Sequence, residues 1–398
     1  MTYLEESKPS YYGWVIVGAV FVAELLAFGL AYAFGVFFKP LASEFNWSRE
    51  AMAGAFSIYA IVHNIFSPIA GTITDRFGPR TVVAIGGFCI GLSMLLMSHI
   101  SSIWQLYFFY GLVFAFGVAS IYSPLMATVS RYFTEKRGLA VGIGAAGVGA
   151  GSLVFSPLSA WLILSYGWRI AYIVVGVICW VLFIPIVRFI KEAPKRSSRM
   201  EMKEKSTKDF TVAQALKTRA FWMISSVWLF AAMVEWGIMI DMVPLLTDRG
   251  ISLLTAGIIV GVIGGMSIAG RILGGFLSDK IGGKHCLLYA LIIQLIGAFL
   301  LLLCRELWMF FLFAVIFGLG VGGWTGVVPS FPADFFGSKA TATILGIIVI
   351  FAGIGIALGP FIGARIFDVT GSYYYMIWMC IISSSLAVFF ASLIKTPV

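Results

Sequence analysis

The stretch Gly71-Thr72-Ile73-Thr74-Asp75-Arg76-Phe77-Gly78-Pro79-Arg80 returns 204 positions later as Gly275-Phe276-Leu277-Ser278-Asp279-Lys280-Ile281-Gly282-Gly283-Lys284. The acid, the base that follows it and the glycines stay in register. The same shift relates Pro40 to Pro244, Gly142 to Gly346, Gly149 to Gly353, Gly151 to Gly355 and Gly167 to Gly371. Self-similarity at one fixed offset marks a chain built from two copies of one unit.

Composition decides the solvent. Of 398 residues, 60% are hydrophobic and 11% charged, which leaves too little polar surface for a water-soluble globule of this size. From Thr81 to Ser130 there is no formal charge, and only His99-Ile100-Ser101-Ser102 interrupts the run. That is room for two membrane-crossing helices and a tight turn. Twelve spans are predicted, roughly 12–38, 50–74, 80–99, 103–130, 137–164, 169–190, 219–246, 253–278, 284–302, 306–331, 340–367 and 372–394. Each is continuously apolar, which favours helices, because they satisfy their own backbone hydrogen bonds without water. The reading is an all-α membrane protein: two pseudo-symmetric six-helix bundles, 1–190 and 219–398, joined by a basic linker over 191–218.

Of the 27 Lys and Arg, 20 fall on the side of the N-terminus, six on the other, and Arg271 falls inside a span. Basic loops are retained on the cytoplasmic side. The expectation is therefore an integral protein of the plasma (inner) membrane with both termini cytoplasmic. The net charge of +9 then reports topology and contact with membrane lipid, not nucleic acid. The polar start, followed by a span too long for a signal core, predicts no cleavage. The five cysteines and three histidines lack metal-ligand spacing, and no nucleophile–base arrangement occurs, so neither a cofactor nor an enzymatic activity is expected.

The repeated loop resembles the signature of the major facilitator superfamily, and the resemblance runs along nearly the whole chain. Three further stretches narrow it: Tyr12-Gly13-Trp14; Gly35-Val36-Phe37-Phe38-Lys39-Pro40 with Trp47-Ser48-Arg49; and Arg131-Tyr132-Phe133 through Lys136-Arg137-Gly138-Leu139-Ala140-Val141-Gly142. These are similar to the monocarboxylate transporter branch and to the related oxalate–formate antiporters. The resemblance implies secondary transport by alternating access, driven by a proton gradient, with a small monocarboxylate anion such as lactate or pyruvate as cargo and a monomer sufficient. The competing readings are an organic-anion exchanger of the oxalate–formate type and, in another class, a membrane sensor that binds without carrying.

In the loop motif, Gly78 and Gly282 allow tight turns, and Asp75 and Asp279 can accept from a helix N-terminus or pair with a base. Asp75, Arg76, Asp279, Lys280 and Arg131 are therefore gating candidates, forming a cytoplasmic latch that breaks as the halves rock. The glycines of 142–157 and of the partner stretch around Gly346 to Pro360 read as packing faces between moving helices.

Arg271 is the central candidate. It lies about eight residues, roughly 12 Å, before Asp279, too deep for comfortable snorkelling, and an arginine at such depth faces a wet cavity or an anion. Its planar fork can hold a carboxylate by two hydrogen bonds. Both related groups place a substrate-binding arginine in the eighth span, which strengthens this reading. Phe28 and Tyr32 share a helix face at i, i+4 spacing, while Tyr122 and Trp324 come from the fourth and tenth spans. By resemblance to the oxalate–formate antiporters, Tyr32, Tyr122 and Trp324 fall where the substrate cage has aromatic residues. Phe331 and Phe335 lie where related monocarboxylate carriers place a selectivity phenylalanine.

Two departures sharpen the reading. Oxalate carriers add a lysine in the eleventh span, whereas Ile344 to Ile362 contains no base here; one fixed positive charge suits one negative charge. Animal monocarboxylate carriers pair their arginine with an acid one turn earlier, where this chain has Ser267, and they use a first-span lysine near the place of Tyr32. The proton route must therefore differ. Its candidates are Glu24, Glu235, Asp241, His63 and Asp334, with Glu24 on the face of Phe28.

Overall fold

The computed structural model describes residues 11–133, 137–191, 210–327, 335–336 and 341–395, with the backbone alone of Asp75, Arg137, Asp279, Thr341 and Ala342. Among the described residues, eleven helices are long and apolar enough to cross a membrane. One of them, Arg137–Phe189, breaks at Gly167, where φ is 82°, and so provides two spans. The twelve are α1 (Tyr11–Phe45), α2 (Arg49–Phe77), α3 (Pro79–Met97), α4 (Ile103–Tyr132), α5 (137–166), α6 (168–189), α7 (Arg219–Asp248), α8 (Leu253–Ile281), α9 (Gly283–Leu303), α10 (Leu307–Val327), α11 (Thr341–Thr370) and α12 (Tyr374–Ser392). Below, the end of the bundle where α1 begins and α6 finishes is the linker end, and the opposite end is the far end.

The duplication holds atom by atom. Ser48 and Ser252, again 204 apart, cap α2 and α8, each accepting at 3.1 Å from the backbone N–H three residues on. This satisfies an N–H that the first turn would otherwise leave open. The turns repeat as well: Gly78 and Gly282 have φ of 80° and 86°, and Gly167 and Gly371 have 82° and 67°. Such φ values favour glycine, which explains why these positions kept it. At Gly151 a Cβ would overlap the carbonyl oxygen of Leu25, and at Gly355 that of Leu229, so the α1–α5 and α7–α11 crossings are copies of one another. Between halves, Gly149 of α5 approaches Ile268 of α8, and Gly353 of α11 approaches Asn64 of α2. The α5–α8 and α2–α11 interfaces thus exchange under the same operation, as a two-fold axis between the halves requires.

Some helices depart from the expected boundaries. α1 runs through Pro40 to Phe45 and α7 through Pro244 to Asp248, beyond the predicted ends at 38 and 246. The fourth span is irregular: it opens with Ile103–Leu106, widens into π-helical turns over Tyr107–Phe114, resumes at Ala115–Ala119 and restarts at Tyr122. The interruption at Ser120 and Ile121 follows from Pro124, which has no N–H to give the Ser120 carbonyl. In the widened part, Ser93 of α3 donates to the Phe109 carbonyl at 2.7 Å. Residues 192–209 of the linker and 328–334 at the predicted end of the tenth span lie outside the described residues.

Candidate functional site

Arg271 sits on a helix held tightly by glycines. A Cβ at Gly322 of α10 would overlap the Ser267 carbonyl, and one at Gly326 would crowd the Arg271 backbone at 3.0 Å; close approach of this kind fixes a helix's depth and rotation. Its neighbours Ile272 and Leu273 are 61% and 51% exposed and carry the lipid face. The half-buried Arg271 donates from Nη1 to Ser267 Oγ at 3.0 Å and forms no ion pair among the described residues. Its charge acts on Glu24 and Tyr32 of α1, Tyr122 of α4 and Glu235 of α7. Four residues on three helices, from both halves, therefore converge on one guanidinium.

The aromatic residues form two groups, the larger one joined through Phe56, which lies 5.2 Å from Tyr59 and 5.4 Å from Trp236. Phe28 lies edge-on to Tyr122 at 5.8 Å and to His63 at 6.0 Å, and His63 stacks on Tyr59 at 5.8 Å. Tyr32 stacks on Trp236 at 4.5 Å. These two residues are 204 apart, and counterparts that touch must lie beside the axis relating the halves. Gly35 repeats the observation, since a Cβ there would crowd the carbonyls of its counterpart Met239 and of Ile240. Trp324 meets Trp228 edge-on at 6.1 Å, and both indole N–H groups are sealed without a partner among the described residues.

The acids differ in their surroundings. Glu24 is fully buried, with both oxygens unpartnered, whereas Glu235 Oε1 accepts from the Tyr32 hydroxyl at 3.1 Å. Asp241 is buried away from Arg271, beside Gly363 of α11, with Arg49 as its charged neighbour. His63 Nε2 is sealed and unpartnered. Phe331 and Asp334 lie outside the described residues. Phe335, partly buried against the core, adjoins Phe336, whose carbonyl accepts from the Phe210 backbone N–H at 3.0 Å.

The side chains of Asp75 and Asp279 also lie outside the described residues. The exposed Arg76 and Lys280 rest over the rings of Phe77 and Phe276 on their own helices, and Arg131 is exposed at the last turn of α4. The ion pairs between the halves among the described residues gather at the far end. Asp248 of α7 binds Lys39 at 2.8 Å and Arg49 at 2.5 Å, and Arg365 of α11 binds Glu50 at 2.5 Å. Asp368 accepts from the backbone N–H groups of Arg49 and Glu50 at the start of α2, where a carboxylate complements the helix dipole. Arg49 also meets the Tyr373 hydroxyl and lies over the Phe367 ring. A recess of about 500 Å³ lined by Arg49, Asp248, Arg249 and Tyr373 opens beside this cluster, away from Arg271.

Sequence reasoning passed over Tyr59, Trp228, Trp236 and the far-end cluster. The offset held part of the signal: Trp236 is the counterpart of Tyr32, and Trp228 that of Glu24.

A family model described as Major Facilitator Superfamily matches residues 20–360 and 272–398. Monocarboxylate transporter 13 of Rattus norvegicus is 29% identical over 384 residues, 94% of this chain and 86% of that protein. Monocarboxylate transporter 11 of Homo sapiens is 28% identical over 380 residues, 91% and 78% of the two chains. Monocarboxylate transporter 2 of Homo sapiens is 25% identical over 393 residues, 93% and 82%. Among solved structures, a bacterial homolog to the human lysosomal transporter Spinster, inward-facing and occupied, matches with a TM-score of 0.74 at 18% identity, covering 97% of this chain and 96% of that chain; likeness at that identity shows the fold alone. The chain belongs to the major facilitator superfamily, whose members are secondary transporters and not enzymes.

Proposed function

We propose that the protein carries a small monocarboxylate, lactate- or pyruvate-like, together with a proton, by alternating access across the plasma (inner) membrane. The observation that carries this reading is Arg271: a deep guanidinium, free of any ion pair among the described residues, within reach of two buried acids and aromatic residues from both halves. One fixed cation matches one carboxylate, and α11 brings no base between Ile344 and Ile362. The names of the similar transporters point to the same class of cargo. The two halves, 1–190 and 219–398, rock about the Tyr32–Trp236 contact, with the linker 191–218 and both termini cytoplasmic and Asp75 and Asp279 serving as latch acids at the linker end. A sealed far end with a half-exposed Arg271 then fits a carrier turned toward the cytoplasm.

The test is uptake of labelled lactate by purified protein in lipid vesicles. Accumulation driven by an acid-outside gradient, competed by pyruvate, acetate or formate but not by oxalate, is the expected result. Strict dependence on an internal counter-anion would reassign the protein to exchange, and binding without uptake to sensing.

A further inference from the structure

Symport of one anion with one proton requires a group that holds the proton, and two acids, Glu24 and Glu235, stand within electrostatic reach of Arg271. Their geometry separates them. Both oxygens of Glu24 are sealed and unpartnered among the described residues, and the residue is 0% exposed, so it has no hydrogen-bonded neighbour to hand a proton on. No oxygen of Glu235 is both sealed and unpartnered. Its Oε1 accepts from Tyr32 at 3.1 Å, and the residue retains 3% exposure. Tyr32 belongs to the other half and stacks on Trp236, the residue next to Glu235. The state of this carboxyl is therefore felt at the contact about which the halves turn.

Building on the transport reading above, we propose that Glu235 carries the coupled proton, with Tyr32 as its positioning residue. In the empty carrier the charges of Arg271 and ionised Glu235 cancel. When the cargo carboxylate occupies the Arg271 fork, Glu235 takes one proton on its carboxyl, and the site is again neutral. Cargo without a proton, or a proton without cargo, leaves a net charge in a centre where uncompensated charge is costly. Only the fully loaded and fully empty forms then cross readily, which is strict one-to-one coupling.

The groups facing Glu235 are consistent with this count. α8 brings Arg271 and α1 brings Tyr32; behind Tyr32, α2 brings Tyr59, whose own charged neighbour is Glu24. α11 and α12 pack along the rest of α7. There Arg365 is engaged with Glu50, Asp368 with the α2 backbone, and Cys380 faces Asp241. Asp241, six residues further along α7, looks toward Arg49 and the far end.

The experiment compares Glu235→Gln, Glu24→Gln and Tyr32→Phe with the parent protein in lipid vesicles, reading gradient-driven net uptake of labelled lactate and, separately, lactate–lactate exchange at equal pH. Glu235→Gln is expected to lose net uptake by at least tenfold while still exchanging, because a fixed neutral group mimics the loaded form. Glu24→Gln, whatever its effect on the absolute rate, is expected to keep the parent's ratio of gradient-driven uptake to exchange. Gradient-driven accumulation by Glu235→Gln, or loss of its exchange at a normal folded yield, overturns the proposal, as does the uncoupled phenotype appearing in Glu24→Gln instead. Tyr32→Phe decides independently should Glu235→Gln fail to fold: losing the O–H that meets Oε1 is expected to move the pH midpoint of net uptake by about one unit, and an unmoved midpoint overturns the assignment. A parent protein that moves no lactate in either assay sinks the transport reading itself, an outcome distinct from any failure confined to these variants.

Discussion

Glu44 and Asp248, 204 residues apart, hold the same post in the two halves. Glu44, near the end of α1, binds Arg169 at 2.7 Å; Asp248, at the end of α7, is met at 3.4 Å by the hydroxyl of Tyr373, the counterpart of Arg169. Their other contacts differ. Glu44 accepts from Trp168 within its own half, whereas Asp248 binds Lys39 and Arg49 across the interface. One acid of an equivalent pair braces a half, and the other locks the far end.

Asp248→Asn should loosen that lock. Its two ion pairs are partly exposed, each of a kind that contributes up to about 1 kcal/mol, so the far-end equilibrium should shift toward open by roughly fivefold. Spin labels at Asn46 and Ser372 would read the change as a new, longer distance population. Glu44→Gln should leave that distribution unaltered.

Arg271→Lys retains the charge and removes the planar fork. Lactate binding should weaken about 10- to 100-fold, the loss of one charge-assisted hydrogen bond, as measured by titration calorimetry in detergent. Full affinity in the lysine variant would remove the bidentate reading.

Gly151→Ala and Gly355→Ala should each destabilise the protein by about 1–3 kcal/mol, because the new methyl meets a backbone carbonyl that cannot step aside. Gly142→Ala and Gly346→Ala, related by the same offset, have nothing within 4 Å of the added carbon and should stay within about 0.5 kcal/mol of the parent. Melting temperatures of the four variants test both halves of the claim, and equal losses across the set would contradict it.

Trp324→Phe removes an indole N–H that has no partner among the described residues. Thermal stability should hold, while lactate affinity should fall by about tenfold if that N–H turns to the cargo. A stability loss with unchanged affinity would place Trp324 in the packing alone.

The duplication was legible because turns impose residue types locally: Gly78 and Gly282, and Gly167 and Gly371, each occupy a backbone post that few residues fill, and the structure adds the caps Ser48 and Ser252 to that set. Arg271 was legible because a charge inside an apolar run is costly wherever it points. The far-end lock was not, since Arg49 and Asp248 look like ordinary loop charges until folding brings together residues 199 apart. Neither were Tyr59 and Trp228, which are lost among 62 aromatic residues in helices that are apolar all round. The π-helical widening of α4 left no mark either, because a continuously apolar run carries no period from which a register could be read.

If the halves rock as proposed, the stacked rings of Tyr32 and Trp236 serve as a bearing. Swinging about a shaft that passes between them changes their mutual tilt far more than their separation, so the middle of the molecule stays plugged while either mouth gapes. On the transport reading proposed above, cargo on Arg271 would then never face a continuous bore, and small ions would find no straight leak through the centre.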